Sequence, residues 1–203
     1  NGDATCTEDG ETQYTSNWGL LSLREEIARY MESRYNVTYD PKKEILVTVG
    51  ASEGIDLSLR VLLNPGEEVL VPEPSYVSYA PGVIFAGGVP VPVPTSAENG
   101  FVLTPEAVQA AVTSRTKAII LPYPNNPTGA VIGREMLQRL RKVFVENNLI
   151  VISDEIYSEL CYSEQGHISI ASLPEMRERT IVLNGFSKAF AMTGWRMGYI
   201  CAP

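Results

Sequence analysis

The sequence contains few of the residues that build metal centres or disulfide frameworks. Its 203 residues include one histidine, His167, and three widely separated cysteines, Cys6, Cys161 and Cys201. None of them has the spacing of metal ligands, so we expect no metal site and three reduced, mostly buried thiols. His167 lies in a polar segment and is predicted to be a loop residue.

Positive charge and long apolar runs are also scarce. The 16 lysines and arginines are outnumbered by 24 aspartates and glutamates, which gives a formal net charge of −8. Such an acidic chain argues against a nucleic-acid partner. No apolar run approaches the length of a membrane span, and no signal-peptide pattern is present at the N-terminus. We therefore expect a cytoplasmic protein with neither a nucleic-acid nor a membrane partner.

Strand patterns and helix patterns alternate through most of the chain. Continuously apolar runs are typical of strands buried on both faces, which occur in parallel sheets covered by helices. We predict an α/β fold with a mostly parallel central sheet and helices on both faces. It forms one domain over residues 1–203, and residues 1–13 form an N-terminal loop. The predicted strands are residues 44–49, 69–71, 88–93, 118–121, 149–152 and 181–183.

Two local predictions concern helix ends. Ser16 or Asn17 is expected to cap the first helix, because serine and asparagine are preferred N-cap residues. Residues 72–76 are expected to turn into a helical segment that runs through Tyr79.

The segment around Lys188 carries the first chemical signal. Lys188 follows a predicted buried strand and has small neighbours such as Gly185 and Ser187. A lysine at this place is either a surface residue or a nucleophile that forms a Schiff base with an aldehyde. Arg196 lies eight residues further on, and an arginine can bind a phosphate through two hydrogen bonds. An aldehyde and a phosphate on one small molecule indicate pyridoxal 5′-phosphate (PLP), although Lys188 alone does not decide between the two roles.

Three other segments place polar groups after predicted strands. Residues 50–54 form a turn of small residues that opens a helix, an arrangement that can bind a phosphate. Residues 122–129 contain three prolines, two asparagines and a glycine, and they predict a rigid loop at the carboxyl end of a strand. Asp154 directly follows a buried strand, so its carboxylate needs a cation or several donors.

Four motifs together resemble the class I/II aminotransferases, which are fold-type I PLP enzymes. They are Tyr14-Thr15, residues 124–129, residues 153–157, and Ser187-Lys188 with Arg196. The resemblance extends from Tyr14 over nearly the whole chain. Residues 191–199 are similar to the aspartate and aromatic aminotransferase branch. The resemblance implies transfer of an amino group between an L-amino acid and a 2-oxo acid.

The resemblance also implies three catalytic residues. Lys188 would bind PLP covalently and move a proton at the substrate α-carbon. Asp154 would keep the pyridine nitrogen protonated, so that the ring acts as an electron sink. Tyr157 would hydrogen-bond the 3-oxygen of the ring, together with Asn126.

The remaining implied roles concern cofactor binding and assembly. Arg196, with Ala51 and Ser52, would bind the phosphate, and Tyr76 would stack on the pyridine ring. Tyr14 would reach the phosphate in the neighbouring subunit of a homodimer.

Two departures from the family pattern affect this interpretation. Many members carry a serine three residues before the lysine, where this chain has Gly185, so one phosphate-binding hydroxyl is missing and Ser187 is expected to compensate. Family members are also considerably longer. The resemblance therefore implies only the cofactor-binding large domain, without the small domain and its arginine that grips the substrate α-carboxylate.

Two other functions share these motifs. One is a carbon–sulfur β-lyase of the same fold. The other is a non-catalytic PLP-binding domain of a transcription regulator, which would follow a helix-turn-helix. The sequence does not determine the substrate side chain.

Overall fold

The computed structural model describes residues 13–203. The predicted N-terminal loop, apart from Gln13, and Cys6 therefore lie outside the described residues. The helices are α1 (Leu21–Tyr35), α2 (Gly50–Leu62), α3 (Tyr79–Phe85), α4 (Pro105–Ala111) and α5 (Arg134–Glu146). The strands are β1 (Ile45–Val49), β2 (Glu68–Glu73), β3 (Val89–Pro94), β4 (Thr116–Leu121), β5 (Ile150–Asp154), β6 (Thr180–Gly185) and β7 (Met197–Cys201).

The strands form one seven-stranded sheet in the order β1-β7-β6-β5-β4-β2-β3. The strands β3, β2, β4, β5 and β6 pair in parallel. Only β7 runs antiparallel to both of its neighbours, β6 and β1. The prediction of a mostly parallel sheet is thus confirmed, and the proline-rich β3 lies at the edge, where missing backbone donors cost least.

Alternate residues of the central strands pack into separate apolar clusters. On β2, Val69 and Val71 face α2 and α3, whereas Leu70 faces α4 and α5. On β5, Ile152 belongs to the first face and Val151 to the second. The cluster around α1 packs on the second face of β6 and β7. Because each fully buried aliphatic side chain contributes about 1.5–3 kcal/mol, these two layers hold the sheet between its helices.

The topology brings the predicted functional segments to one edge of the sheet. The carboxyl ends of β2, β4, β5 and β6 lie at this edge because these strands are parallel. Since β7 is antiparallel to both β6 and β1, its first residue and the last residue of β1 lie at the same edge. Because residues 186–196 join the end of β6 to the start of β7, these six strand ends belong to five chain segments, which meet where open α/β sheets place their ligand sites.

The two predictions about helix ends are wrong. Helix α1 begins at Leu21, with Leu20 in the N-cap position and no side-chain cap. Ser16 instead accepts a hydrogen bond from the Trp18 N–H, so it stabilises the preceding turn. Helix α3 begins only at Tyr79, and Tyr76 therefore lies in the connection before it.

Within residues 13–203, no helix is long and apolar enough to cross a membrane.

Candidate active site

A cavity of about 230 Å³ lies at the edge of the sheet where the five segments meet. Nine of the ten residues that the sequence marked for cofactor binding line it. They are Ala51, Ser52, Tyr76, Asn126, Asp154, Tyr157, Ser187, Lys188 and Arg196. The tenth, Tyr14, is fully exposed and does not contact this cavity.

One end of the cavity is suited to an anion. Gly50 begins α2 with a φ of 72°, the helix has no side-chain cap, and Ala51 and Ser52 of its first turn line the cavity. The guanidinium of Arg196 lies so close to Gly50 that a Cβ there would overlap it. Arg196 has a φ of 52° and donates from Nη1 to the Thr193 carbonyl at 2.9 Å. A helix N-terminus and a fixed guanidinium together make a phosphate site.

The other end of the cavity holds a buried carboxylate. Asp154, the last residue of β5, is 6% exposed. Its Oδ2 accepts a hydrogen bond from the Tyr79 hydroxyl at 2.8 Å, and Oδ1 accepts one from the Ile156 N–H at 3.2 Å. Burial raises the pKa of Asp154, and these two hydrogen bonds oppose the increase without cancelling it. These two groups supply part of the donors that the sequence led us to expect.

Lys188 lies between the two ends. It follows β6 by three residues, and its side chain is exposed in the cleft. Its Nζ lies 5.6 Å from the centroid of the Tyr157 ring. Ser187, the residue before it, is 8% exposed and lines the cavity. The amine is therefore placed beside the phenol that the sequence also marked.

The loop with Asn126 is held by the side chain of its neighbour Asn125. The Oδ1 of Asn125 accepts hydrogen bonds from the Thr128 hydroxyl at 2.8 Å and from the Thr128 N–H at 3.2 Å. Its Nδ2 donates to the Pro74 carbonyl at 3.4 Å. Asn125 is buried, whereas Asn126 is exposed toward the cavity. The first asparagine thus fixes the loop against the segment that carries Tyr76, which leaves the second free to bind a ligand.

The close approach of the neighbouring strand explains why position 185 is a glycine and not a serine. Gly185 pairs with Gly198 of β7. A Cβ on Gly185 would lie 2.8 Å from the Met197 carbonyl oxygen and 2.9 Å from the Gly198 Cα. Both contacts are with backbone, so a serine does not fit here unless β7 moves. The missing hydroxyl noted in the sequence is thus a consequence of close strand packing.

A second polar cluster surrounds the residue that follows Asp154. Glu155 is fully buried, and its Oε1 accepts from Ser153 at 3.0 Å and from Ser169 at 2.8 Å. Its Oε2 lies 2.9 Å from His167 Nε2, but the two atoms are not aligned for a good hydrogen bond. His167 is a loop residue, as predicted, although its side chain is only 10% exposed. No group of side chains within residues 13–203 is arranged to hold a metal ion.

The cysteines agree only in part with the prediction of buried thiols. Cys201 is fully buried and Cys161 is half-buried, and both are free.

The residue that sequence reasoning missed is Tyr79. Its only sequence signal is its place three residues after Tyr76, and the ring of Tyr76 packs edge-on against it with centroids 5.6 Å apart.

The donor set of this cavity fits PLP. The guanidinium and helix N-terminus suit a phosphate, the amine suits an aldehyde, and the carboxylate suits a protonated ring nitrogen. Gly50 and Gly198 have no room for side chains: a Cβ on Gly198 would lie 2.5 Å from the Ala51 nitrogen. The close packing of these glycines thus forms the cradle around the anion end.

Comparison with known proteins agrees with this donor set. The family Aminotransferase class I and II matches residues 7–203 of the chain. A putative aminotransferase, YugH, from Bacillus subtilis is 52% identical over 196 residues, which cover 97% of this chain and 50% of the relative. An aspartate aminotransferase from Pyrococcus abyssi is 51% identical over 194 residues, which cover 96% of this chain and 50% of that protein.

Solved structures give the same result. An aromatic aminotransferase from Pyrococcus horikoshii has a TM-score of 0.96 and 48% identity, over 98% of this chain and 54% of that one. An aspartate aminotransferase from Thermus thermophilus, solved with maleate, has a TM-score of 0.94 and 42% identity, over 98% and 51%. The chain therefore spans about half the length of the relatives it matches.

Proposed function

Because this chain belongs to the class I and II aminotransferases, we propose that it carries the PLP-binding part of an enzyme that transfers an amino group from an L-amino acid to a 2-oxo acid. The single observation that carries the proposal is the shared cavity. It brings Lys188, Asp154 and Arg196 together from the ends of three neighbouring strands, β6, β5 and β7. When bound, PLP supplies an electron sink for the bond to the substrate α-carbon.

The residues of the cavity have distinct tasks in this proposal. Arg196, Ser52 and Ser187, with the N–H group of Ala51, bind the phosphate and so fix the position of the ring. The Nζ of Lys188 holds the cofactor covalently and moves the proton at the substrate α-carbon. A group that moves a proton must come within hydrogen-bond reach of the reacting carbon. The Lys188 amine, which is exposed in the cleft beside the Tyr157 ring, can meet this requirement.

Three further residues act on the ring. The negative charge of Asp154 stabilises a proton on the pyridine nitrogen. Burial strengthens this electrostatic interaction because the local dielectric is low. The hydroxyl of Tyr157 and the amide of Asn126 donate hydrogen bonds to the 3-oxygen. Tyr76 covers one face of the ring, since an aromatic side chain packs well on a flat ring.

The proposal includes a homodimer in which Tyr14 contacts the cofactor phosphate of the partner subunit. The support for it is that Tyr14 is fully exposed and lies away from the cavity of its own chain. A tyrosine side chain with this exposure buries little apolar surface within its own chain. We also propose that residues 1–203 form one large domain; the cytoplasmic location and the lack of a nucleic-acid partner stay predictions.

The test is a half-reaction followed by product analysis. A full-length protein that carries these residues is loaded with PLP and mixed with excess alanine, glutamate, aspartate or an aromatic amino acid, and the absorbance of the cofactor is followed. We expect pyridoxamine phosphate and the matching 2-oxo acid. Ammonia with pyruvate would instead indicate the β-lyase, and a spectrum unaffected by every amino acid would favour the regulatory domain. The relatives named above are aminotransferases, which gives neither alternative support.

A further inference from the structure

The contact between Tyr79 and Asp154 is not explained by the packing of the fold. The ring of Tyr79 is 4% exposed and already lies in the apolar cluster with Val83 and Leu59. A phenylalanine would fill the same space. The hydroxyl adds only the 2.8 Å hydrogen bond to Asp154 Oδ2. A buried hydroxyl of this kind has a cost unless it is paired, so its presence points to a task at the carboxylate.

The environment of Asp154 shows why such a donor matters. Among residues 13–203, no basic side chain forms an ion pair with Asp154, and Tyr79 is the one side chain that hydrogen-bonds it. The neighbouring carboxylate of Glu155 adds negative charge close by. Within residues 13–203, the ionised form of Asp154 is therefore stabilised by two direct hydrogen bonds, from the Tyr79 hydroxyl and the Ile156 N–H.

We propose that Tyr79 is a positioning residue, an inference that rests on the PLP site proposed above. Its hydroxyl fixes the Asp154 carboxylate and keeps the shared proton on the pyridine nitrogen of the cofactor, not on the carboxylate. Tyr79 acts through Asp154.

The direction of the effect follows from the hydrogen bond. A donor to a carboxylate stabilises its ionised form, and burial stabilises the protonated form. Burial and the charge of Asp154 raise the pKa of Tyr79 well above its ordinary value, so its hydroxyl stays protonated and acts as the donor. Without that donor the carboxylate becomes more basic and takes a larger share of the proton. The pyridine nitrogen is then less protonated.

The experiment measures the pyridine nitrogen directly. The protein is loaded with PLP labelled with ¹⁵N in the ring, and the ¹⁵N chemical shift is compared between the wild type and Tyr79→Phe. Because a hydrogen bond to a charged group is involved, we expect the ratio of protonated to unprotonated nitrogen to fall by about tenfold or more in the variant. In an Asp154→Asn background, Tyr79→Phe should cause no further change, since its partner is gone.

A matched control is available in Tyr123→Phe. Tyr123 is also buried, donates to the Phe101 carbonyl at 2.9 Å and accepts from the Leu103 N–H at 3.1 Å, and it does not line the cavity. Its variant loses a buried hydroxyl, so it reports the effect of that loss alone. We expect an unchanged ¹⁵N shift. If Tyr79→Phe does not fold, Tyr79→Met removes the hydroxyl and fills the space with a flexible side chain.

The outcomes separate this inference from the proposed function. A wild-type ¹⁵N shift in a folded Tyr79 variant would overturn the inference while leaving the PLP site intact. An equal shift in Tyr123→Phe would also overturn it, because the effect would then be general. Failure of the wild type to retain labelled PLP would contradict the proposed function itself.

Discussion

Replacement of Gly185 by serine would restore the phosphate-binding hydroxyl that many family members carry, and we expect it to harm the protein. The new Cβ would lie 2.8 Å from the Met197 carbonyl oxygen and 2.9 Å from the Gly198 Cα. Neither atom belongs to a flexible side chain, so β6 and β7 must separate. Overpacking of this kind costs about 1–3 kcal/mol. For a domain of this size, 1 kcal/mol lowers Tm by about 2–4 °C, so Tm should fall by about 2–12 °C.

The assay combines thermal unfolding with a PLP titration. Gly133→Ser is the matched control, because a Cβ on Gly133 meets nothing within 4 Å and the residue is the N-cap of α5. Serine is at least as good an N-cap as glycine, so the control should change stability by only about a few tenths of a kcal/mol. We expect Gly185→Ser to bind PLP no more tightly than the wild type. Unchanged Tm with tighter PLP binding would refute the reasoning about close strand packing.

Three further predictions follow from the site and the fold. In a full-length protein that carries these residues, Asp154→Asn should leave PLP bound but lower the transamination rate at least about tenfold, or about 1.4 kcal/mol, because an amide carries no charge to hold the ring proton; a smaller loss in steady-state kinetics would show that Asp154 has another role. The hydrogen bonds from Thr113 and Arg115 lower the pKa of Glu68 below its ordinary value, so its stabilisation is present above the unfolded pKa of about 4.3 and is lost as pH falls through the folded pKa; urea unfolding should show Glu68→Gln less stable than the wild type at pH 7 and closer to it at pH 3, and an equal difference at both pH values would contradict this. A polypeptide limited to residues 1–203 should bind PLP weakly and show little turnover with glutamate or alanine, because the small domain that would close the site and orient the substrate carboxylate is lacking; turnover equal to that of a longer family member would show these residues to be sufficient.

The strands could be predicted because their signals are local, whereas most of the cavity residues were implied by the resemblance to the aminotransferase motifs. The apolar run at 118–121 lies within β4 (Thr116–Leu121), and the run at 181–183 lies within β6. A buried strand is marked by its own residues, and a parallel sheet brings its carboxyl ends to one edge regardless of loop details. Nine predicted residues therefore line one cavity.

The features that were missed depend on contacts between distant segments. Tyr79 reaches Asp154 across 75 residues of chain, and no local pattern marks that hydroxyl. Gly185 looks in the sequence like a lost serine, and only the approach of β7 shows why a side chain does not fit. The close approach of Glu155 to His167 likewise brings the residue after β5 against a loop that the sequence marks only as polar. Ser16 does not cap α1 because it hydrogen-bonds the turn before the helix.

The central claim is that Lys188 holds PLP in this cavity, and covalent labelling tests it most directly. The protein is incubated with PLP, reduced with borohydride, digested and mapped by mass spectrometry. The account predicts one pyridoxyl group, on Lys188, and loss of the label in Lys188→Ala. Arg196→Ala should weaken the labelling without moving it, because the phosphate end of the cavity loses its guanidinium. A pyridoxyl group on another lysine, or labelling unaffected by Lys188→Ala, would contradict the account.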